Sequence, residues 1–162
     1  MAADGEMGKK IIEEGIKSGS KNFEIISSLL KKGAVLVKTE DLNLLRLEVD
    51  RLIKISKAET MIGKVAAYLE YILTKNSLLR RRDEFMARRI NETLEDGQTG
   101  ILFVGAYHDA ARWLASDVSV KEVKDRKKVA DYQRQFPLWE RKKKEVEGLS
   151  DYLVSPVELT LT

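Results

Sequence analysis

The chain has 162 residues, the size of one domain, and a chain of this length buries about 70% of the surface its unfolded form exposes. It has no cysteine, which excludes a disulfide framework, a zinc ribbon and a thiol nucleophile and suits a reducing, cytoplasmic setting. The net charge of +3 comes from 29 basic and 26 acidic side chains, a mixed surface rather than a polyanion-binding one.

The average hides a gradient along the chain. Residues 121–144 hold 10 basic and 4 acidic side chains, a net +6, and the last 18 residues hold four acidic and no basic ones. Such a run reads as a solvated face, and nucleic acid is not an expected partner. The first ten residues are not a secretory signal, and no stretch approaches the roughly 20 apolar residues of a membrane span, so no membrane partner is expected either.

In chain order, Ile11, Ile12 and Ile16, then Phe23, Ile25, Ile26, Leu29 and Leu30, recur at helical spacing. Two short helices are predicted, divided at Ser18-Gly-Ser20 and ended by Gly33 in the left-handed position after a helix. Ala34-Val-Leu-Val37 reads as a buried strand feeding a helix capped by Thr39 or Asp41.

From Leu42 to Leu94 the pattern is helical, with stripes Leu42, Leu45, Val49, Leu52, then Met61 or Ile62, Val65, Leu69, Ile72 or Leu73, then Leu79, Met86, Ile90, Leu94. The length predicts two or three helices, with breaks at Ser56-Lys-Ala-Glu59 and at Asn76-Ser77, and an end at Glu95-Asp96-Gly97. Gly100-Ile-Leu-Phe-Val-Gly105 is the strongest strand signal, almost wholly apolar, as befits a strand covered on both faces. A helix should follow from Ala106-Tyr-His-Asp109 through Ala110, Ala111, Trp113 and Leu114.

Val118–Val123 alternates as a more exposed strand, and Asp125 caps a basic helix that stops near Phe136-Pro137. Val157–Thr162 alternates as an edge strand or tail. The expectation is therefore an α/β fold: a small, mostly parallel sheet of three or four strands with many helices packed on it. Residues 1–148 form one helix-rich domain and 149–162 a carboxyl-terminal tail or edge strand. An exposed edge in so small a sheet makes a homodimer reasonable.

Ligands of parallel sheets bind beyond the carboxyl ends of the strands, the place of Gly105 to Asp109. His108 is the only histidine. At a helix start it would be disfavoured as imidazolium, leaving an imidazole able to bind metal or accept a proton; the plainer alternative is a histidine that caps the turn. Gly105 allows a sharp turn and close approach to a ligand. Tyr107 and Asp109 are neighbouring candidates, with Asp83 reachable from the preceding helix. Arg82 falls on the apolar stripe, where a guanidinium must find a carboxylate, a fence of carbonyls or a cleft, or else snorkel from the stripe's edge.

The order Arg82-Asp83-x-x-Met86-Ala87-x-x-Ile90, a loop, and an apolar strand ending Val104-Gly105-Ala106-x-His108 resembles the last part of the TraB and TIKI proteins, a superfamily that includes the erythromycin esterases. The resemblance covers about 30 residues. It implies a metal-dependent hydrolase or peptidase relationship, with His108 as the second Gly-x-x-His histidine and metal ligand, Arg82 as the family's arginine, and a divalent metal (manganese, cobalt or zinc) as cofactor. Gly105, Tyr107 and Asp109 would then contact a small-molecule or peptide ligand. The family's first Gly-x-x-His has no counterpart here and its glutamate is unassigned, so a full site would need residues from another chain or a further segment. The competing reading is a non-enzymatic protein-interaction domain whose long, Leu-rich helices present a partner surface.

Overall fold

The computed structural model describes residues 3–157, and all regular structure among them is helical. The order is α1 (Gly5–Lys17), α2 (Lys21–Lys31), α3 (Leu42–Lys57), α4 (Met61–Thr93), a one-turn 3₁₀ segment Ala110–Trp113, α5 (Arg126–Gln135), a second 3₁₀ turn Phe136–Leu138, and α6 (Lys143–Val154). The chain separates into two compact units. One is the chain up to Phe103 with Asp109–Ala115, and the other is Val104–His108 with the chain from Ser116 onward.

The expected α/β fold with a parallel sheet is therefore corrected to an all-helical one. Residues 34–37, 100–105 and 118–123 are irregular, with no strand among the described residues. The physical reason is that β-branched, apolar runs favour a pleated surface but become strands only when a neighbour supplies the ladder. The expected edge strand Val157–Thr162 lies, apart from Val157, outside the described residues.

In the first unit, α1 and α2 form a hairpin. Gly19 and Gly33 take positive φ of 82° and 92°. Around them, Ser20 N–H reaches Gly15 O and Gly19 N–H reaches Ile16 O; Ala34 N–H reaches Leu29 O and Gly33 N–H reaches Leu30 O. These are paired Schellman closures, and they end both helices where the glycines predict.

Thr60 caps α4, its Oγ1 accepting from Gly63 N–H at 3.0 Å. From there α4 runs 33 residues without interruption, about 50 Å at 1.5 Å per residue. The expected restart at Asn76-Ser77 does not occur, since one Asn and one Ser inside a run of good helix formers cost little. Asp41 caps α3, accepting from Asn43 N–H at 2.7 Å.

α3 and α4 pack together. Leu44, Glu48, Arg51 and Ile55 on α3, and Ala67, Tyr71, Thr74 and Leu78 on α4, are among the positions shielded from water, as are Leu45 and Ile72 beside them. Spacings of four, three and four place each set on one helix face. Leu42, Val49 and Leu52 of the expected α3 stripe, and Val65 and Leu69 of the expected α4 stripe, are instead exposed. Leu45 and Ile72 of those stripes are partly shielded, and the third stripe turns inward around Met86, beside the fully buried Ala87.

In the second unit α5 packs on α6, whose Val146 is completely buried. The Lys124 ammonium donates to the carbonyls of Tyr152 (2.8 Å) and Ser155 (2.7 Å), placing a cation on the negative end of α6. Lys128 lies 4.1 Å from the centre of the Tyr152 ring.

Candidate functional site

The carboxyl-terminal half of α4 organises the polar centre of the first unit. Leu78, Asp83, Met86 and Ala87 are its buried positions, and Arg82 lies beside them with its side chain 11% exposed. A guanidinium so placed needs anions, and two reach it. Arg82 Nη2 donates to Glu40 Oε1 at 2.8 Å and Nε to Glu40 Oε2 at 3.1 Å, the two-pronged geometry that matches arginine to a carboxylate. Nη1 donates to Glu48 on α3. Burial by itself would lower the pKa of Arg82. The hydrogen bonds and charge of Glu40, with the charges of Glu48 and Asp83, outweigh it and hold the group above its ordinary value.

Asp83 is 4% exposed, and its Oδ2 accepts the backbone N–H of Asp109 at 2.9 Å. Nearly two turns of helix further, Arg89 Nε donates to Lys38 O at 3.2 Å. Asn91 both donates to Trp113 O (3.2 Å) and accepts from Ala115 N–H (3.0 Å). Side chains of α4 thus meet backbone groups of Lys38, Asp109, Trp113 and Ala115. This is how irregular segments can lie against the helix without a ladder.

The expected site residues divide between the two units. Arg82 and Asp109 belong to the first, and Gly105, Tyr107 and His108 to the second. His108 N–H closes a turn onto Gly105 O at 3.0 Å, and His108 O accepts from Arg126 Nη1 at 2.6 Å. Gly105 is not among the glycines of positive φ, and a Cβ there would meet only His108 Cδ2 at an ordinary 3.6 Å. Neither the turn nor the space demands glycine. Tyr107 is exposed.

The expected helix after His108 is a single 3₁₀ turn, Ala110–Trp113, preceded by Asp109. It is too short for the aligned peptide dipoles on which the expectation about the imidazole rested. Among the described residues no three His, Asp or Glu side chains gather as a metal-holding group, and one imidazole does not fit the three protein ligands such a centre takes.

Sequence reasoning missed the partners of Arg82. Glu48 could have been found from its place four residues after Leu44 on the shielded face of α3; for Glu40, in an irregular segment 42 residues from Arg82, no local signal exists. Asn91 was also missed. No family model matches the chain, and neither a curated protein nor a solved structure matches it.

Proposed function

We propose that the chain is a non-enzymatic interaction domain that associates with a second copy of itself through the uncovered face of α4. The observation that carries this reading is the stripe Met61, Ile62, Val65, Leu69 and Leu73, with Ile62 84% and Leu73 80% exposed. From Ile62 onward successive members lie three or four residues apart, Met61 stands one before, and the stripe lies on the side of the helix opposite Ala67, Thr74 and Leu78. The first half of α4 is therefore apolar on two faces, of which α3 covers one. A contiguous apolar stripe left in water marks a surface made to be covered.

Met61, Ile62, Val65, Ala66 and Leu69 line a shallow, apolar depression suited to side chains from another helix. Between Met61 and Leu73 the charged residues are Lys64 and Glu70, and Glu70 is already paired with Lys54 of α3 at 2.5 Å. A two-fold pairing of the stripe with itself therefore brings no row of like charges together. A cytoplasmic setting, expected from the cysteine-free composition, belongs to the same proposal; among the described residues no helix is long and apolar enough to cross a membrane.

Light scattering on a size-exclusion column tests the reading. The parent chain should run as a dimer that dissociates on dilution, and V65E/L69E as a monomer of unchanged helix content, both substitutions lying on already exposed positions. A parent that is monomeric at hundred-micromolar concentration, or a variant that still dimerises, contradicts it.

A second reading keeps the hydrolase-like resemblance, with His108 contacting a small-molecule or peptide ligand. What supports it is the buried Asp83, which ties the Arg82-Asp83 part of the motif to the backbone of Asp109, next to His108. Hydrolysis of ester or peptide substrates that H108A abolishes, with folding intact, would favour this reading over the first.

A further inference from the structure

Within the second unit, the connection from α5 to α6 carries large apolar side chains that stand about half in water. Phe136, Leu138 and Trp139 stand on the 3₁₀ turn and the bend after it, at 53, 45 and 38% exposure. Pro137 fixes the start of that turn, and the Phe136 ring leans on Tyr132 with centroids 5.5 Å apart. The turn is rigidly built yet ends in water.

Immediately after it come four consecutive bases, Arg141, Lys142, Lys143 and Lys144, all exposed, and Arg134 precedes it at the end of α5. Across 134–144 the five bases face one acid, Glu140, for a net +4. The nearby ion pairs do not cancel this charge for an incoming anion. Lys142–Glu145 and Lys143–Glu147 are open to water at 3.7 and 3.9 Å, and Arg134 pairs with Asp131 one turn back on an exposed surface. Such pairs contribute little and exchange readily.

We propose that this turn is a peripheral contact site for an anionic lipid surface. Phenylalanine, leucine and tryptophan enter the boundary between headgroups and acyl chains, where an aromatic ring with a polar edge is at home, while the run 141–144 meets the phosphates. An exposed turn carrying an aliphatic side chain beside its aromatics fits a bilayer better than a nucleic acid, which offers bases to stack on but no apolar layer for leucine. The proposal departs from the expectation of no membrane partner, which rested on the lack of a spanning segment; a surface contact requires none. The α4 association stands on separate residues and does not depend on it.

Co-sedimentation of the full chain with vesicles of phosphatidylcholine alone, or of phosphatidylcholine with phosphatidylserine, tests this. The chain should bind the anionic vesicles and not the neutral ones, with a partition constant on the order of 10⁴ M⁻¹, the strength of one myristoyl chain. In a W113F background the emission of Trp139 should shift to the blue on binding. Each of K142Q, K143Q and K144Q should weaken binding about fivefold, as expected for a charge at a lipid surface. F136S/L138S should abolish the blue shift; if that variant does not fold, L138S/W139S, which leaves the Tyr132–Phe136 contact intact, should lose binding instead. Equal binding to both vesicles, no binding to either, or unchanged binding by the serine variants overturns the proposal. So does binding of a single-stranded oligonucleotide by a chain that ignores anionic vesicles.

Discussion

At the scale of single residues, Arg82 decides how the polar centre of the first unit is held. Its side chain is largely buried and its donors go to Glu40 and Glu48, so removing it strands two carboxylates in a partly desolvated place. R82A should lower stability by about 2–3 kcal/mol, below the 3–5 kcal/mol of a fully buried pair because Glu48 is still 30% exposed. R82K should recover only part of it, since an ammonium cannot grip Glu40 with two prongs. Urea denaturation followed by circular dichroism checks both. A guanidinium whose pKa is raised contributes stability at every pH below its ordinary value, so this network persists through alkaline conditions. Glu70 has the opposite sign. The hydrogen bond and charge of Lys54 hold its carboxyl below the ordinary 4.5, so the pair's contribution is present above that value and is lost as pH falls through the lowered one. A nuclear magnetic resonance titration should find the Glu70 midpoint below 4.5 in the parent and higher in K54M, with the charge of Arg51 still acting on it.

At the scale of elements, α4 is one helix through the point where the sequence offers a break. Ser77 sits in mid-helix, exposed, so S77P should cost about 3 kcal/mol through the lost hydrogen bond and the ring's clash with the preceding turn. A cost below 1 kcal/mol would mean two helices meeting there. Much of the helical layout was legible, because its signals are local: glycines 19 and 33 close helices by backbone geometry, and Asp41 and Asp125 cap them through their own side chains. The strands were not. Ile101–Val104 has the composition of a buried strand, but composition does not provide a neighbour. The faces of α3 and α4 were misread for a related reason. Apolar periodicity tells which side of a helix avoids water, not whether this chain supplies the cover, and the face α3 uses is marked by Leu44 and Ile55 with Glu48 and Arg51 between them. The demand of Arg82 for an anion could be read from its position on a stripe; Glu40, brought to it by tertiary structure, could not.

At the scale of the molecule, the α3–α4 pair buries Leu44, Ala67 and Leu78 beside the polar Thr74 and the Glu48–Arg82 contact, while Leu52, Val65, Leu69 and Leu73 of the same helices lie in water. Burial of a large aliphatic side chain is worth about 1.5–3 kcal/mol, so a row of them left in water is an unused driving force for association. A second copy laid on the α4 stripe, as proposed, would cover that row. The absence of cysteine makes the direct measurement straightforward: a nitroxide attached through K64C, on the flank of the α4 stripe, reports the distance between copies by its dipolar coupling. The account predicts strong coupling at hundred-micromolar concentration that disappears when labelled chain is diluted with unlabelled chain and is absent in V65E/L69E. A labelled chain that shows no coupling at that concentration, with its helices intact, would contradict it.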